Sequence, residues 1–167
     1  MLKKYRLRPK PLSAGFVFSK VSHFLATGFG AGLLKPAPGT WGSALGIALY
    51  AGCAFLSSKV LLWGITFAIF VIGVWACEVT GKDAGVHDHP SIVIDEVLGV
   101  WIAALFVPFE PIWLLAAFAV FRFFDIVKVW PAKYFDEKVT NGFGVMADDF
   151  VAGAYSAMVL YAALTFL

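Results

Sequence analysis

The sequence predicts an all-α fold: a small polytopic membrane helical bundle with an N-terminal Gly/Pro-rich loop on its cytoplasmic face. Three observations carry that expectation. Apolar residues make up 60% of the 167 positions and charged residues 14%, against roughly 45–50% and about 25% in average soluble domains. A chain this short has too little interior to bury so much apolar surface. The mean hydropathy is +0.83, and the apolar residues fall in separate blocks with no sustained period-2 alternation of the barrel kind and no fixed-length repeat. Composition therefore excludes a disordered chain and weighs against an ordinary soluble globule.

The apolar blocks cover 44–57, 60–77, 92–109, 112–124 and 150–167. The second and fifth come closest to the ~20 residues of a spanning helix. The other three are short enough for partly buried or half-membrane helices. Ser57, Ser58 and Lys59 separate the first two blocks, and Pro108, Glu110 and Pro111 separate the third from the fourth, because proline ends helices and favours turns. The expected organisation is a basic N-terminal segment over 1–23 and a single membrane-embedded domain over 24–167. Only a short apolar stretch, 14–18, follows the N-terminal basic residues, without a small-residue cleavage pattern, so no signal peptide is expected. Cys53 and Cys77 lie inside apolar blocks without CxxC spacing and read as buried thiols.

If all five blocks cross, the loops alternate sides and the charges sort unevenly. Every Lys and Arg except Lys59 falls on one side, including Lys3, Lys4, Arg6, Arg8 and Lys10. The positive-inside rule makes that side cytoplasmic. Trp41, Trp63, Trp75, Trp113 and Trp130 lie near block ends, as an interfacial belt requires. Every Asp and Glu except Glu110 also falls on the cytoplasmic side. Carboxylates at the mouths of apolar helices are costly unless paired or metal-bound. Their concentration there is the main functional signal in the residues themselves.

Four constellations carry it. GFGAGLLKPAPGTWGS (28–43) is a Gly/Pro-stiffened turn opening a helix near Thr40, where Gly39, Thr40 and Ser43 suit a phosphate cradle. A Gly-rich turn with a threonine cap is the plainer alternative, and no Walker A pattern is present. KDAGVHDHPSIVIDEVLG (82–99) sets Asp95 and Glu96 in the early turns of the third apolar helix, with Asp88 in the preceding loop. Acidic residues there also complement a helix dipole. His87 and His89, at i, i+2, read as polar loop residues rather than zinc ligands. FRFFDIVKVWPAKYFD (121–136) places Arg122, Asp125 and Lys128 at i, i+3, i+6, either a surface ion-pair ladder or an anion site beside a metal ligand. NGFGVMADDFVAG (141–153) brings Asp148 and Asp149 to the mouth of the last helix, as caps or as metal ligands mirroring Asp95 and Glu96. Carboxylate-only ligands suit Mg²⁺ or Mn²⁺. Clustered carboxylates, a few cations and a Gly/Thr loop on membrane helices suit metal-assisted phosphoryl chemistry on a lipid headgroup.

These four stretches, in this order, resemble bacterial phosphatidylglycerophosphatase A over nearly all of the chain after residue 24. Val129 departs from the pattern, in which a proline usually follows the lysine. The resemblance implies hydrolysis of phosphatidylglycerophosphate to phosphatidylglycerol and phosphate, a Mg²⁺ requirement, and a multi-pass inner-membrane enzyme of phospholipid synthesis whose site faces the cytoplasm. On the matched positions, Asp95, Asp148 and Asp88 are expected to be catalytic. Asp95, Glu96, Asp125, Asp148 and Asp149 are expected to hold metal, and Gly39, Thr40, Ser43, Arg122 and Lys128 to bind the substrate phosphate. The expected partners are the phospholipid substrate and the membrane, with no nucleic acid and no obligatory protein partner. A small transporter or channel using the carboxylates is the competing class. It requires ionisable residues near mid-membrane, whereas here they gather at one side. A soluble all-α hydrolase is a third reading, and the apolar content opposes it.

Overall fold

The computed structural model describes residues 9–56 and 58–166. Lys3, Lys4, Arg6 and Arg8, which contribute to the expected orientation, and Ser57 and Leu167 lie outside the described residues. The described chain is all-helical, 76% helix with no strand. In order come α1 (Ala14–Val17), α2 (Val21–Ala26), α3 (Pro38–Leu56), α4 (Lys59–Ala84), α5 (Ile94–Leu105), α6 (Pro111–Val127), α7 (Ala132–Lys138) and α8 (Gly142–Phe166), with a 3-10 turn over Ala31–Leu33.

The five apolar blocks become α3, α4, α5, α6 and α8, and three of these helices run well past the apolar boundary at the polar end. Local hydrogen bonding explains the extensions. The Ser58 hydroxyl oxygen caps α4 by accepting from the Leu61 N–H at 3.4 Å. At its far end Gly85, at φ 72°, lets the Val86 N–H reach the Gly81 carbonyl at 3.0 Å and its own N–H reach Lys82 at 3.1 Å. That pair of bonds is a Schellman end, and it carries α4 through Glu78, Lys82 and Asp83. α8 starts at Gly142 because Asn141 Oδ1 accepts from the Gly144 N–H at 3.0 Å. Glu78 Oε2 accepts from the Gly142 N–H at 2.7 Å, an anion placed at a helix N-terminus. Asp148 and Asp149 therefore lie inside the second turn of α8, not at its cap.

α5 is the centre of the bundle. It packs against α8, α3, α6 and α4, and Leu98, Val100, Trp101 and Ala103 on it are fully buried. Trp101 donates its indole N–H to Thr66 Oγ1 at 3.0 Å and meets Tyr50 edge-on at 5.3 Å. The helix has 12 residues, about 18 Å of rise, which is short of a ~30 Å hydrocarbon core. The block at 92–109 is thus a buried central helix rather than a span. α4 and α8 are, among the described residues, the two helices long and apolar enough to cross a membrane. Their outer faces expose Val60, Phe67, Val71, Met158 and Tyr161, unlike the core helices of a soluble domain.

The α5–α8 crossing is backbone to backbone. A Cβ placed on Gly153 would lie 2.5 Å from the Gly99 carbonyl oxygen, and one on Gly99 would strike the Phe121 ring and come within 2.8 Å of the Asp149 carbonyl. Gly99 follows Asp95 by one helical turn and Gly153 follows Asp149 by one turn, so the crossing brings the two acidic pairs level.

This crossing predicts opposite responses to added side chains. Gly153→Val should destabilise the protein by about 1–3 kcal/mol through overpacking. Gly64→Ala in α4, where a Cβ meets nothing within 4 Å, should hold stability or raise it by about 0.5–1 kcal/mol. Thermal unfolding in detergent reads both, and a Gly153→Val protein as stable as wild type would refute the tight crossing.

Candidate active site

The N-terminal ends of α5 and α8 and the C-terminal end of α6 meet at one polar cleft of about 120 Å³. Asp95 and Glu96 enter it from α5, Asp125 from α6, Asp136 from α7, and Asp148 and Asp149 from α8; His87 and Asp88 come from the α4–α5 loop, and Lys128 from the α6–α7 turn. Asp95, Asp148 and Asp149 are buried. α5 and α8 both point their positive dipole ends at the cleft, which favours anions there.

Three carboxylates form its floor. One oxygen each from Asp95, Glu96 and Asp149 lies within 4.8 Å of the other two. Asp95 Oδ1 and Glu96 Oε2 are buried with no hydrogen-bond partner among the described residues. Burying one charge without a partner costs several kcal/mol, and neighbouring carboxylates add repulsion. A hard divalent cation relieves both penalties, so this donor set fits Mg²⁺ on the chemistry of its oxygens and on its orphaned atoms.

The expected Arg122–Asp125–Lys128 ladder is not formed. Arg122 pairs with Asp125, but α6 ends at Val127 and Lys128 turns into the left-handed region at φ 47°. Lys128 Nζ leaves the helix face and sits 2.5 Å from Asp148 Oδ2 and 2.9 Å from Asp136 Oδ1. A non-glycine residue in that conformation is sparsely populated, and the two ion pairs hold it there. Burial alone would depress its pKa, but Asp148 and Asp136 outweigh this and hold it above the ordinary lysine value, so the ammonium stays charged. Asp148 also accepts the Asp149 N–H at 2.9 Å through Oδ1. Of the acidic pair on α8, Asp149 thus faces the carboxylate floor and Asp148 faces the lysine.

The residues expected to cradle phosphate divide. A Cβ on Gly39 would strike Glu96 Oε1 and lie 3.1 Å from Arg122 Nη1, so this backbone lies against the cluster, and Arg122 stands behind the floor rather than in the cleft. Thr40 and Ser43 do not line the cleft. Thr40 is exposed and its N–H is taken by the Ala37 carbonyl at 3.0 Å. The Ser43 hydroxyl donates to the Gly39 carbonyl at 2.9 Å. The preceding loop and the end of α2 instead brace α5: the Val93 N–H donates to the carbonyl of Ala26, the last residue of α2, at 2.9 Å, and Gly32 in the loop abuts the Ser91 carbonyl. Asp88 is exposed at the cleft mouth. His89 is buried as a loop residue; its Nδ1 accepts the Ser91 N–H at 3.1 Å and its Nε2 lies 3.0 Å from the Lys10 carbonyl. Sequence reasoning gave Asp136 no role. It follows Lys128 by eight positions, a spacing that meets in space only because the chain turns at Lys128.

The sequence profile of phosphatidylglycerophosphatase A matches residues 24–164. A phosphatidylglycerophosphatase A of Haemophilus influenzae is 49% identical over 141 residues, 84% of this chain and 86% of that protein. One of Escherichia coli is 45% identical over 144 residues, 83% of this chain and 81% of that protein. A Bacteroides thetaiotaomicron protein, provisionally named a phosphatidylinositol-3-phosphatase, is 38% identical over 143 residues, 81% of this chain and 89% of its own. No solved structure matches the chain.

The carboxylate floor predicts coupled changes in stability. Glu96→Gln and Asp149→Asn should each raise the melting temperature of cation-free protein, since each removes a buried charge from a repelling group. Both should lose most of the Mg²⁺-dependent rise expected of wild type, which amounts to about 2.7 kcal/mol at a hundredfold excess over Kd. Wild type whose melting is indifferent to Mg²⁺ would refute the metal assignment.

Proposed function

The chain belongs to the phosphatidylglycerophosphatase A family, and we propose that it hydrolyses phosphatidylglycerophosphate to phosphatidylglycerol and inorganic phosphate, with Mg²⁺, at the cytoplasmic face of the bacterial inner membrane. That it is a phosphatase follows from the family. The observation that carries the finer reading is the buried carboxylate floor of Asp95, Glu96 and Asp149, with its orphaned oxygens, opening beside Lys128 at one end of an apolar bundle. The reading treats residues 24–167 as one multi-pass domain in which α3, α4 and α8 cross and the α5–α6 hairpin returns to the side it enters from, so that every Lys and Arg except Lys59 lies on the side of the cleft. The uneven distribution of basic residues supports the orientation.

A transporter reading fits less well. Beneath the carboxylates the interior is closed by Leu98, Trp101, Phe121 and Met146, all fully buried. Residues 60–77, 97–109 and 150–166 carry no charged side chain that would continue a path.

In this reading Asp95, Glu96 and Asp149 hold the metal, with Asp125 behind them beside Arg122. Bound Mg²⁺ supplies Lewis-acid stabilisation of charge on the transferring phosphoryl group. Lys128, released in part from Asp136, balances the phosphoryl oxygens as charge develops. Asp148, oriented by Lys128 and the Asp149 N–H, takes the proton of the attacking water. The water oxygen bonds to phosphorus, the phosphorus–oxygen bond to the glycerol breaks, and the departing oxygen takes a proton at the cleft mouth, where Asp88 stands. Arg122 fixes Asp125 and the Gly39 turn rather than touching the substrate.

Phosphate release from purified protein in detergent tests this. Phosphatidylglycerophosphate should be cleaved only with Mg²⁺, and faster than phosphatidic acid, phosphatidylinositol 3-phosphate or a water-soluble phosphomonoester. Asp95→Asn and Asp149→Asn should abolish turnover. Lys128→Ala should lose about 10²–10³ in rate, ~3–4 kcal/mol, with the Mg²⁺ activation midpoint nearly unchanged. Near-normal turnover by Lys128→Ala would confine that lysine to a structural ion pair. Orientation is read by cysteine labelling: position 59 should react from outside and positions 133 and 138 only from the cytoplasm, and the reverse pattern would overturn the cytoplasmic site.

A further inference from the structure

A cleft of about 120 Å³ is well below the ~300–1,000 Å³ of sites that enclose a whole small-molecule ligand. It accommodates a phosphoryl group, so the apolar part of a lipid must lie elsewhere. An apolar groove of about 530 Å³ begins where the cleft ends, and Phe135 lines both. The groove runs between α4, which contributes Trp63, Phe67 and Phe70, and α8, which contributes Phe143 and Phe150, with Ala147 between them. A second hollow of about 290 Å³ shares Trp63 and Phe150 with it and continues past Ala154 to Tyr161. From Phe143 to Tyr161 α8 rises about 27 Å, close to the ~30 Å thickness of a hydrocarbon core.

Side-chain size gives the groove its depth. Ala147, Ala154 and Ala157 line it where neighbouring positions carry phenylalanine, methionine and tyrosine. At the cleft end the rings form a collar: Phe70 lies 6.0 Å from Phe143 and 5.8 Å from Phe150, and Phe135 lies 6.2 Å from Phe143. Apart from the Trp63 indole and, in the second hollow, the Tyr161 hydroxyl, the wall is apolar except for Thr66, which donates to the Leu62 carbonyl at 2.8 Å and accepts from Trp101, so its hydroxyl offers no free donor to a polar guest.

We infer that this groove between α4 and α8 holds an acyl chain of the lipid substrate, with Ala147 and Ala154 setting how deeply the chain seats. The inference rests on the lipid-phosphatase reading above and adds where the tail lies. Continuity selects the occupant. Another apolar hollow, between α3 and α6 around Ala51, Leu114 and Phe118, shares no residue with the cleft. A lipid whose phosphate reaches Lys128 can pass Phe135 and remain on apolar surface along the rest of its length.

The test compares Ala147→Phe and Ala154→Phe with wild type in the full-length detergent-solubilised protein. The substrates are dioleoyl and dihexanoyl forms of the same lipid phosphate and the deacylated headgroup, at a fixed ratio of detergent to protein. Each variant should lower the ratio of kcat/KM for the dioleoyl over the dihexanoyl substrate at least tenfold, mainly through KM. An unchanged ratio in both, with wild type active, overturns the groove. Wild type that releases phosphate from none of the substrates sinks the phosphatase reading instead, whatever the groove does. A second measurement needs no variant. A lipid phosphomonoester with a diazirine on its acyl chain should label the 143–161 stretch of wild type, and unlabelled lipid phosphate should compete at constant total lipid. Labelling that is spread over the bundle and insensitive to competitor means annular lipid only and overturns the inference.

Discussion

Where Gly99 and Gly153 let α5 and α8 touch through their backbones, Asp95, Glu96, Asp148 and Asp149 are drawn into one largely buried space. Most features of the polar end can be understood as a response to that crowding. Lys128 leaves its helix to reach Asp148 and Asp136, and Arg122 is spent on Asp125. The N-termini of α5 and α8 direct their dipoles at the same point. Among the described residues, Asp95, Glu96 and Asp149 still have no cationic side chain paired with them. An arrangement that leaves buried carboxylate oxygens without partners is stable only with a counter-ion or protons, and an ion held there serves the chemistry proposed for the cleft.

The supports around the crossing have a single direction. α2 and the loop after it, from Thr27 to Ala37, contribute little to the cleft itself but pin the entry of α5, α2 through Ala26 to Val93 and the loop through the contact of Gly32 with Ser91. His89 ties the same entry to Lys10 near the N-terminus. Glu78, at the end of α4, fixes the first N–H of α8. Four separate elements thus position two helix ends. A shift of an ångström there would change the carboxylate spacing on which the affinity for the proposed cation depends.

The bundle divides its work by polarity. One end concentrates charge in a small cleft, and the lateral faces of α4 and α8 are apolar and exposed. In the proposed reading a lipid meets both at once. Its phosphate is handled by residues on helix ends, and its tail stays on surface that never requires desolvation of a polar group.

Composition and the placement of polar residues were enough to determine the helical class, the five principal helices, and the concentration of carboxylates at one end. Those features follow from local periodicity and from the cost of charge in apolar runs, and both are visible one segment at a time. The four motifs gave a role to every carboxylate of the cleft except Asp136, although the stretch 121–136 ends on it. What the sequence could not decide was set by geometry between segments. The i, i+3, i+6 spacing implied one ladder, yet a left-handed Lys128 sends that cation to α7 and α8. Thr40 and Ser43 sat in a plausible phosphate motif, yet their helix turns one outward and bonds the other to its own backbone. The block at 92–109 left open a span, a half-membrane helix or a partly buried one, and only packing makes it a short helix enclosed by four others. Tertiary structure alone decided which carboxylate meets the lysine and which face one another, because that choice depends on how closely two glycine-bearing helices approach, and a linear pattern carries no record of that distance.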